Sequence, residues 1–391
     1  MSKKSNRKFE TEAIRTQLER SQYLEHSSPL YLTSSFVFED AEDMRASFAE
    51  EKDRNIYSRY ANPNSTEFID KVCKMEGAEG GFAFASGMAA VFSTFAALLD
   101  SGDHILSARS VFGATHSLFT NFFPKWNITH SFFKIDELET IDQLVTPQTK
   151  IIYAESPTNP GVDILDLEAL GKIAKRNNLI LIIDNCFASP YLQQPIKYGA
   201  DLVIHSGTKL MDGQGRVLAG ITVGNKELID KIYRFSRITG PALSPFNAWV
   251  LSKSLETLAV GVDRHCENAM KLAEFLEQHE KVNWVKYPFL KSHPKYEIAK
   301  KQMKAGGCVV AFELKGGLEE GRKFFDAIKL LSLSANLGDS RSIVTHPAST
   351  THSKLSQEER SSVGITDGSV RISVGLEHID DIIQDIDQAL G

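Results

Sequence analysis

Short apolar runs alternate with amphipathic stretches between about residues 61 and 245. The runs are rich in β-branched residues, as strands buried on both faces are. In the stretch 166–178, Leu167, Leu170 and Ile173 fall on one side of a helix. The alternation predicts an α/β domain with a mainly parallel sheet that helices cover on both faces. The predicted strands are residues 104–108, 150–156, 179–184, 201–206 and 217–223.

The pattern changes after Pro245. Residues 246–280 form long helical patterns with few strand signals. From Gly307 onward, apolar runs alternate again with helices at about 318–329 and 378–390. This part of the chain therefore predicts a second, smaller α/β unit.

The change of pattern sets a domain boundary near residue 260. We expect a large domain over residues 61–260 and a C-terminal domain over residues 261–391. Residues 1–60 begin as a polar, partly helical stretch and continue into an extended apolar segment, 28–38. An arm of this kind either packs on a neighbouring subunit, to which we expect it to contribute, or caps its own domain.

Composition and charge narrow the function. The chain of 391 residues carries 44 Lys and Arg against 50 Asp and Glu, and no basic block could coat nucleic acid or anionic lipid. No apolar run is long enough to cross a bilayer, and the first residues lack the apolar core of a secretory signal. The four cysteines are scattered, which indicates neither a disulfide framework nor a metal site. We expect a cytoplasmic protein that acts on small molecules, with no metal and no nucleic-acid or membrane partner.

Lys209 follows the predicted strand 201–206 almost at once. In parallel sheets, ligands bind beyond the carboxyl ends of the strands, so this lysine lies where a ligand is expected. Its amine could form a Schiff base with a carbonyl such as the aldehyde of pyridoxal phosphate. The hydroxyls of Ser206 and Thr208 beside it suit a phosphate. The alternative is an ordinary loop lysine with small polar neighbours.

Asp184 ends the strand 179–184, where a buried carboxylate needs a positive or hydrogen-donating partner. A protonated pyridine nitrogen is such a partner, and an aspartate opposite it makes pyridoxal phosphate an electron sink. The alternative is an aspartate that caps the following turn. Because Lys209 and Asp184 end neighbouring strands, the two together favour the cofactor more than either does alone.

Two further segments carry groups suited to the same ligand. Gly87 and Met88 stand where a small-residue turn enters a long apolar helix, and the free amides of a helix start form a phosphate site. Ser86 at the same turn could equally be a simple helix cap. Asn159 lies just past the strand that ends at Glu155, within range of the same crevice.

Ordered motifs along nearly the whole chain resemble one known family: YSRYANP, ASGMAA, ESPTNP, IIDN, HSGTK, DGQGRVLAG and VRISVGLE. The sequence is similar to the pyridoxal-phosphate-dependent enzymes of cysteine and methionine metabolism, the trans-sulfuration enzymes. The resemblance implies the aspartate-aminotransferase-like fold, fold type I, with a mainly parallel seven-stranded sheet in the large domain and a smaller C-terminal α/β domain. It also implies a homotetramer, a dimer of dimers whose active sites are completed in pairs.

The resemblance carries a role to each matching residue. Lys209 is the Schiff-base lysine, Asp184 pairs with the pyridine nitrogen, and Asn159 lies near the phenolic oxygen of the cofactor. Arg371, with Ser342, binds the α-carboxylate of the substrate, a task that suits a planar guanidinium. The phosphate is held by Ser206, Thr208 and the amides of Gly87 and Met88, with Tyr57 and Arg59 completing the group across a subunit interface.

Three positions depart from the pattern of the cystathionine enzymes. Phe112 replaces a tyrosine whose ring stacks on the cofactor, so it can stack but has no hydroxyl for proton transfer. Ser117 stands where an arginine binds the distal carboxylate of cystathionine. Arg341 stands where a glutamate meets the distal amino group. Sulfide has neither a distal carboxylate nor a distal amino group, so it fits this site better than cysteine as the nucleophile.

The run 336–352, like Phe112, resembles the homoserine-ester sulfhydrylases, and the compact chain favours a succinyl over an acetyl ester. We expect replacement of the succinyl group of O-succinylhomoserine by sulfide in methionine biosynthesis, with Arg341 meeting the succinyl carboxylate. Cystathionine γ-synthase and a cystathionine γ- or β-lyase are the alternatives within this chemistry. A catalytically inactive binding protein is the alternative outside it.

Overall fold

The computed structural model describes residues 7–350, 358, 360 and 365–391. Thr351 and His352, at the end of the run 336–352, lie outside the described residues. The larger sheet consists of β1 (Gly80–Phe84), β2 (His104–Ala108), β3 (Thr129–Phe133), β4 (Thr149–Glu155), β5 (Ile180–Asp184), β6 (Leu202–Ser206) and β7 (Gly220–Gly224). Its strand order is β1-β7-β6-β5-β4-β2-β3.

The large sheet is mainly parallel, as predicted. The strands from β2 to β6 run parallel to one another, and β7 runs antiparallel to β6 and to β1. Every residue of β2 and of β7 is buried, so both faces of the sheet are covered. The antiparallel direction of β7 follows from its connection, because the loop 207–219 contains no helix that could cross over to a parallel strand.

The smaller C-terminal sheet has the order β10-β11-β12-β9-β8 and is antiparallel except for the pairing of β10 with β11. The helices expected at 318–329 and 378–390 are present as Gly317–Ala327 and Ile379–Leu390. The strands of this sheet are β8 (Val282–Lys286), β9 (Val309–Leu314), β10 (Ser332–Leu333), β11 (Ile343–Thr345) and β12 (Ser369–Ser373).

The α-helices frame both sheets, and none within the described residues is both long and apolar enough to cross a membrane. They are α1 (Phe9–Arg15), α2 (Ala41–Phe48), α3 (Pro63–Glu76), α4 (Gly87–Leu98), α5 (Gly113–Ser117), α6 (Ile141–Leu144), α7 (Leu167–Arg176), α8 (Ser189–Leu192), α9 (Lys226–Thr239), α10 (Pro245–Leu255), α11 (Leu258–Glu277), α12 (Tyr296–Gln302), α13 (Gly317–Ala327) and, at the C-terminus, Ile379–Leu390.

Helix α11 spans the predicted domain boundary near residue 260. Val262 and Cys266 on this helix belong to the apolar core of the large domain. Ala269 and Leu272, one to two turns later, belong to the core of the C-terminal domain. One continuous helix therefore packs on both cores and fixes the two sheets to each other.

The first part of the N-terminal arm packs on its own large domain. The ring of Phe9 lies 5.1 Å from that of Tyr191, and the indole of Trp249 donates to the carbonyl of Ser28 at 2.9 Å. The later part exposes large apolar side chains instead, such as Leu32 and Val37. Both interpretations of the arm therefore have support in this subunit, with self-packing first and an open apolar segment after it.

Candidate active site

The carboxyl ends of β4, β5 and β6 form the floor of a cavity of about 320 Å³. Glu155 and Asp184 are paired in register at the ends of neighbouring strands, and Ser206 ends β6. A tight turn closed by the bond from the Lys209 amide to the Ser206 carbonyl, 3.2 Å, brings Lys209 to the same edge. We call Glu155, Asp184, Ser206 and Lys209 the strand-end floor. The predicted residues that line the cavity are Gly87, Met88, Phe112, Asn159, Asp184, Ser206, Thr208 and Lys209.

The amine of Lys209 is largely buried, and burial lowers the pKa of this amine below its ordinary value. Its Nζ donates a hydrogen bond to Oδ1 of Asn336 at 2.6 Å. Asn336 comes from the C-terminal domain and was not among the predicted site residues. A lysine with a lowered pKa and a single polar partner is well placed to react with a carbonyl and to exchange protons.

Asp184 is buried and has no cationic side chain within 4 Å among the described residues. The hydroxyl of Tyr153 donates to Oδ2 at 3.2 Å, and the amide of Cys186 donates to Oδ1 at 3.1 Å. Burial raises the pKa of the Asp184 carboxyl, while hydrogen bonds from Cys186 lower it. A cationic ligand atom beside this carboxylate would provide the missing charge, which is what a protonated pyridine nitrogen supplies.

The opposite end of the cavity fits a phosphate. Ser86 caps α4 by accepting from the amide of Ala89 at 3.1 Å, and the amides of Gly87 and Met88 at the helix start have no acceptor among the described residues. A Cβ on Gly87 would lie 2.9 Å from the Cβ of Ser206, so only glycine allows this approach. No partner of the Ser206 hydroxyl is found in the part of the chain that the structure describes.

Thr208 lines the same end of the cavity, but its hydroxyl is already bonded to Ala219. It accepts from the Ala219 amide at 3.0 Å and lies 3.3 Å from the Ala219 carbonyl, to which it donates. To hold a phosphate, this hydroxyl must turn its proton away from that carbonyl.

Arg371 on β12 is the buried cation of the site, and burial lowers the pKa of its guanidinium to about 10, so it is charged at neutral pH. Its Nη1 donates to Oδ1 of Asn159 at 2.8 Å, and Nη2 donates to the carbonyl of Asn336 at 3.1 Å. Its Nε is buried without a hydrogen-bond partner. No carboxylate pairs with this guanidinium within the described residues, so a substrate carboxylate is its natural complement.

Arg341 and Ser342 belong to the segment 335–342, which we call the substrate loop. The structure does not bring the polar groups of Ser342 to Arg371: its hydroxyl donates to Oε2 of Glu377 at 2.9 Å and its amide donates to Oε1 at 2.7 Å. Arg341 donates to the carbonyl of Gln214 at 3.1 Å, and 62% of its side chain is exposed. Asn336 is therefore the residue of this loop that contacts both Lys209 and Arg371.

Tyr57 and Arg59 do not line the cavity of their own subunit. The guanidinium of Arg59 lies 5.4 Å from the ring centre of Tyr57 and 4.8 Å from that of Tyr60, and it donates to the carbonyl of Arg237. Tyr57 is exposed. Within their own subunit, both residues therefore lie beside aromatic and backbone groups outside the cavity.

Two groups at the cavity, the buried Glu155 and the partly buried Cys186, were not assigned a role from the sequence. Glu155 accepts from the amide of Phe112 at 2.8 Å. Cys186 accepts a bond from the amide of Ser206 through Sγ at 2.9 Å, and burial raises the pKa of its thiol well above the ordinary value. The thiol is therefore protonated and joins the Asp184 segment to the phosphate end.

A comparison with protein-family models decides the family. The model described as Cys/Met metabolism PLP-dependent enzyme matches residues 10–391. The chain belongs to this family. Its cofactor is pyridoxal phosphate, and the buried carboxylate, the largely buried lysine and the open helix start described above fit that group.

Individual relatives agree on the family and differ in activity. An O-succinylhomoserine sulfhydrylase of Pseudomonas aeruginosa is 43% identical, over 98% of this chain and 95% of the relative. An L-methionine gamma-lyase of Fusobacterium nucleatum is also 43% identical, over 97% of each chain. A Campylobacter jejuni structure that contains N'-pyridoxyl-lysine-5'-monophosphate has a TM-score of 0.93 and 35% identity, covering 98% of this chain and 99% of that one. The chain is therefore a pyridoxal-phosphate-dependent enzyme of this family.

Proposed function

We propose that this enzyme converts O-succinylhomoserine and sulfide into homocysteine and succinate, a γ-replacement in methionine biosynthesis. The bond from Cγ to the ester oxygen breaks, a bond from Cγ to sulfur forms, and succinate leaves with the oxygen. The observation that carries the proposal is Phe112, whose ring stands at the cavity of Lys209 without a hydroxyl. The similarity to the Pseudomonas aeruginosa O-succinylhomoserine sulfhydrylase supports it.

Arg371 would orient the substrate. Its buried guanidinium has an unpartnered Nε and two bonds to neutral groups, on Asn159 and Asn336, that a carboxylate can replace. A bidentate contact with the α-carboxylate is a charge-assisted pair in a dry setting. This contact places Cα and Cβ of the substrate toward Lys209.

Lys209 would carry the protons. Pyridoxal phosphate, when bound, supplies an aldehyde for the amine and an electron sink for charge that develops at Cα. Because burial lowers the pKa of Lys209, its amine is readily neutral and can accept a proton from Cα and then from Cβ. Asn336 accepts a hydrogen bond from the protonated amine and keeps it in the cavity between these transfers.

Asp184, Ser206 and the start of α4 would fix the cofactor at three points. Asp184 takes the pyridine nitrogen, while Ser206 and Thr208, with the amides of Gly87 and Met88, take the phosphate. The three points lie on consecutive strand ends and a helix start, so they hold the ring against the floor while groups are exchanged above it.

Selectivity for the sulfur nucleophile, the second substrate, would come from side-chain groups that this site lacks. Phe112 offers no proton to a departing thiol, and Ser117 at the end of α5 is too short to meet a distal carboxylate. With Arg341 in place of a glutamate, the distal ammonium of a nucleophile with an amino-acid end also finds no partner here, whereas sulfide needs none. Arg341, exposed on the substrate loop, would turn toward the succinyl carboxylate by leaving its ion pair with Asp339, at 3.3 Å, and its bond to the Gln214 carbonyl.

A methionine γ-lyase is the second candidate, because the Fusobacterium nucleatum relative carries that name at the same identity. Elimination of methanethiol requires a proton for the leaving sulfur, for which a tyrosine hydroxyl in place of Phe112 would be suited. The phenylalanine favours replacement of an ester, since a carboxylate leaves without being protonated.

The test is product analysis with the cofactor-loaded enzyme. O-Succinylhomoserine and O-acetylhomoserine are each given with sulfide or cysteine, and methionine is given alone. We expect homocysteine from the succinyl ester and sulfide at the highest kcat/KM. Faster release of methanethiol and 2-oxobutanoate from methionine would assign the lyase activity instead, and faster formation of cystathionine would assign cystathionine γ-synthase.

We also propose a cytoplasmic homotetramer, a dimer of dimers in which Tyr57 and Arg59 complete the phosphate site of the neighbouring subunit. Their absence from the lining of their own subunit's cavity and the open apolar part of the arm support it. Mixing inactive Arg59→Ala and Lys209→Ala subunits should restore part of the activity, because some hybrid sites are complete. No recovery despite measured subunit exchange would reject the shared site.

A further inference from the structure

Glu155 is a buried carboxyl group in the cavity with no role in the mechanism above. It ends β4, is 3% exposed and lies in register beside Asp184 on the neighbouring parallel strand. Side chains paired in this way point to the same face of a sheet. Two carboxyl groups are therefore buried side by side on the floor, although the cofactor requires only one.

Glu155 joins two loops that border the cavity. Its Oε2 accepts from the amide of Phe112 at 2.8 Å, and the backbone of Asn159 lies near enough to the carboxyl group to lower its pKa. Phe112 precedes α5, whose start no side chain caps; its carbonyl accepts from the His116 amide at 3.0 Å, and the bond to Glu155 is what holds its amide. The ring of Phe112 is 45% exposed, so packing alone does not hold it.

We propose that Glu155 is a positioning residue, which holds the backbone amides of Phe112 and Asn159 and thereby sets the ring and the side-chain amide that face the cofactor. The inference rests on the proposed cofactor contacts of Phe112 and Asn159. It is independent of which ester and which sulfur compound react.

The surroundings of Glu155 favour its neutral form. Burial and the charge of Asp184 raise the pKa of the Glu155 carboxyl well above its ordinary value, and the bonds from Phe112 and Asn159 lower it only in part. A protonated carboxyl still accepts hydrogen bonds, so both amides remain held. The titratable and charged groups that face it are Asp184, Arg371, Tyr153 and Cys186.

Four variants test the proposal: Glu155→Gln, a neutral isostere; Glu155→Asp, one methylene shorter; Glu155→Ala; and, as control, Glu67→Gln. Glu67 is also buried and accepts a backbone amide, that of Leu18, at 3.0 Å, but it lies on α3 outside the cavity. The measurements are the Kd for pyridoxal phosphate, the visible circular dichroism of the bound cofactor, and the pH dependence of both.

We expect Glu155→Ala and Glu155→Asp to weaken cofactor binding by about tenfold or more, because buried amides lose their acceptor. The visible dichroism of the cofactor bound to these variants should fall, because the Phe112 ring and the Asn159 side-chain amide no longer have a single orientation. Glu155→Gln should stay within about threefold of the wild-type Kd, with an unchanged pH profile, and so should Glu67→Gln. If Glu155→Ala does not fold, the difference in Kd and dichroism between Glu155→Gln and Glu155→Asp still tests the proposal.

Two results would overturn the proposal. If Glu155→Asp kept the wild-type dichroism and Kd, the backbone amides of Phe112 and Asn159 would not need an acceptor at the position of the Glu155 carboxyl group. A Gln variant as weak as the Asp variant would show that an ionised carboxylate is required. Phe112→Ala and Asn159→Ala test the underlying assumption that these two residues contact the cofactor. Normal visible dichroism in both variants would show that they do not, whatever the role of Glu155.

Discussion

The strand-end floor and the substrate loop meet at Lys209, and they are built differently. The floor comes from consecutive parallel strands, and its carboxyl groups are buried and paired in register. The loop comes from the C-terminal domain, and one of its charged side chains, Arg341, is 62% exposed. The groups that we propose hold the cofactor thus lie at strand ends, while a group that we propose chooses between substrates lies on a segment open to water.

The comparison predicts that loss of the amine of Lys209 or the carboxylate of Asp184 on the floor abolishes or weakens the chemistry for every substrate. Changes in the loop should alter the choice between substrates or the pH response and leave the chemistry intact. The four predictions that follow run from the largest effect to the smallest.

Lys209→Ala should reduce turnover to below about 10⁻⁴ of wild type, because only an amine at this position reacts with the cofactor aldehyde and moves the protons. The fold should persist, since the amine has one side-chain partner. Borohydride reduction of the loaded wild-type enzyme followed by peptide mapping should place the pyridoxyl label on Lys209. A label on exposed Lys226, or normal turnover in the variant, would show that the floor has been assigned to the wrong lysine.

Asp184→Asn should lower kcat/KM by about 10²- to 10³-fold for every substrate tested, because removing one partner of a buried charge pair costs about 2–5 kcal/mol. The visible absorption of the bound cofactor should shift as its ring nitrogen loses the carboxylate. Asp385→Asn is the matched control, because Asp385 is also buried and accepts backbone bonds, but in the C-terminal domain. A change in substrate preference, with little loss of rate, would contradict the role given to the floor.

Most of the floor could be predicted from the sequence, and the reason is local. An apolar run that ends in a polar residue marks both the strand and its carboxyl end, so the pattern of residues alone puts Asp184 and Lys209 at one edge of the sheet. Strands β1 and β3 were not predicted. β1 begins with two glycines, and β3 is an edge strand in which polar side chains interrupt the apolar run.

The loop could not be predicted in the same way, because the direction of its side chains depends on distant partners. Ser342 points to Glu377, 35 positions away in the chain, and nothing in its own neighbourhood indicates this. Asn336 opens the run that resembles the sulfhydrylases, but the sequence does not show that it turns toward Lys209. Asn336, which the sequence did not single out, and Ser342, which it misplaced, are therefore both on the loop, whereas on the floor only the role of Glu155 was missed.

Arg341→Glu should lower kcat/KM for O-succinylhomoserine about 10- to 150-fold more than for O-acetylhomoserine, because only the former has a distal carboxylate to meet the guanidinium. Exposure of the side chain brings the effect toward the lower limit. Use of cysteine as acceptor should rise slightly. Arg234→Glu, another exposed arginine, serves as control. Equal losses for both esters would show that Arg341 faces solvent during the reaction.

The smallest effect concerns the contact between loop and floor. Asn336 accepts a hydrogen bond from the Lys209 amine, and such a bond favours the protonated amine. In Asn336→Leu this support is lost, so the pKa of Lys209, already lowered by burial, should fall by about one further unit. Asn336→Asp should raise the pKa, because it places a negative charge at the same point.

The rate at which cofactor-free protein takes up pyridoxal phosphate measures this shift, because the neutral amine is the reacting form. The rate rises with pH until the amine is deprotonated, so the curve should move to lower pH in Asn336→Leu and to higher pH in Asn336→Asp. At a pH below the pKa, the Leu variant should react about tenfold faster than wild type, with the same plateau. Ser340→Ala, on the same loop, should leave the curve in place. Shifts in one direction for both Asn336 variants would mean that the loop acts on Lys209 through packing, not through the hydrogen bond.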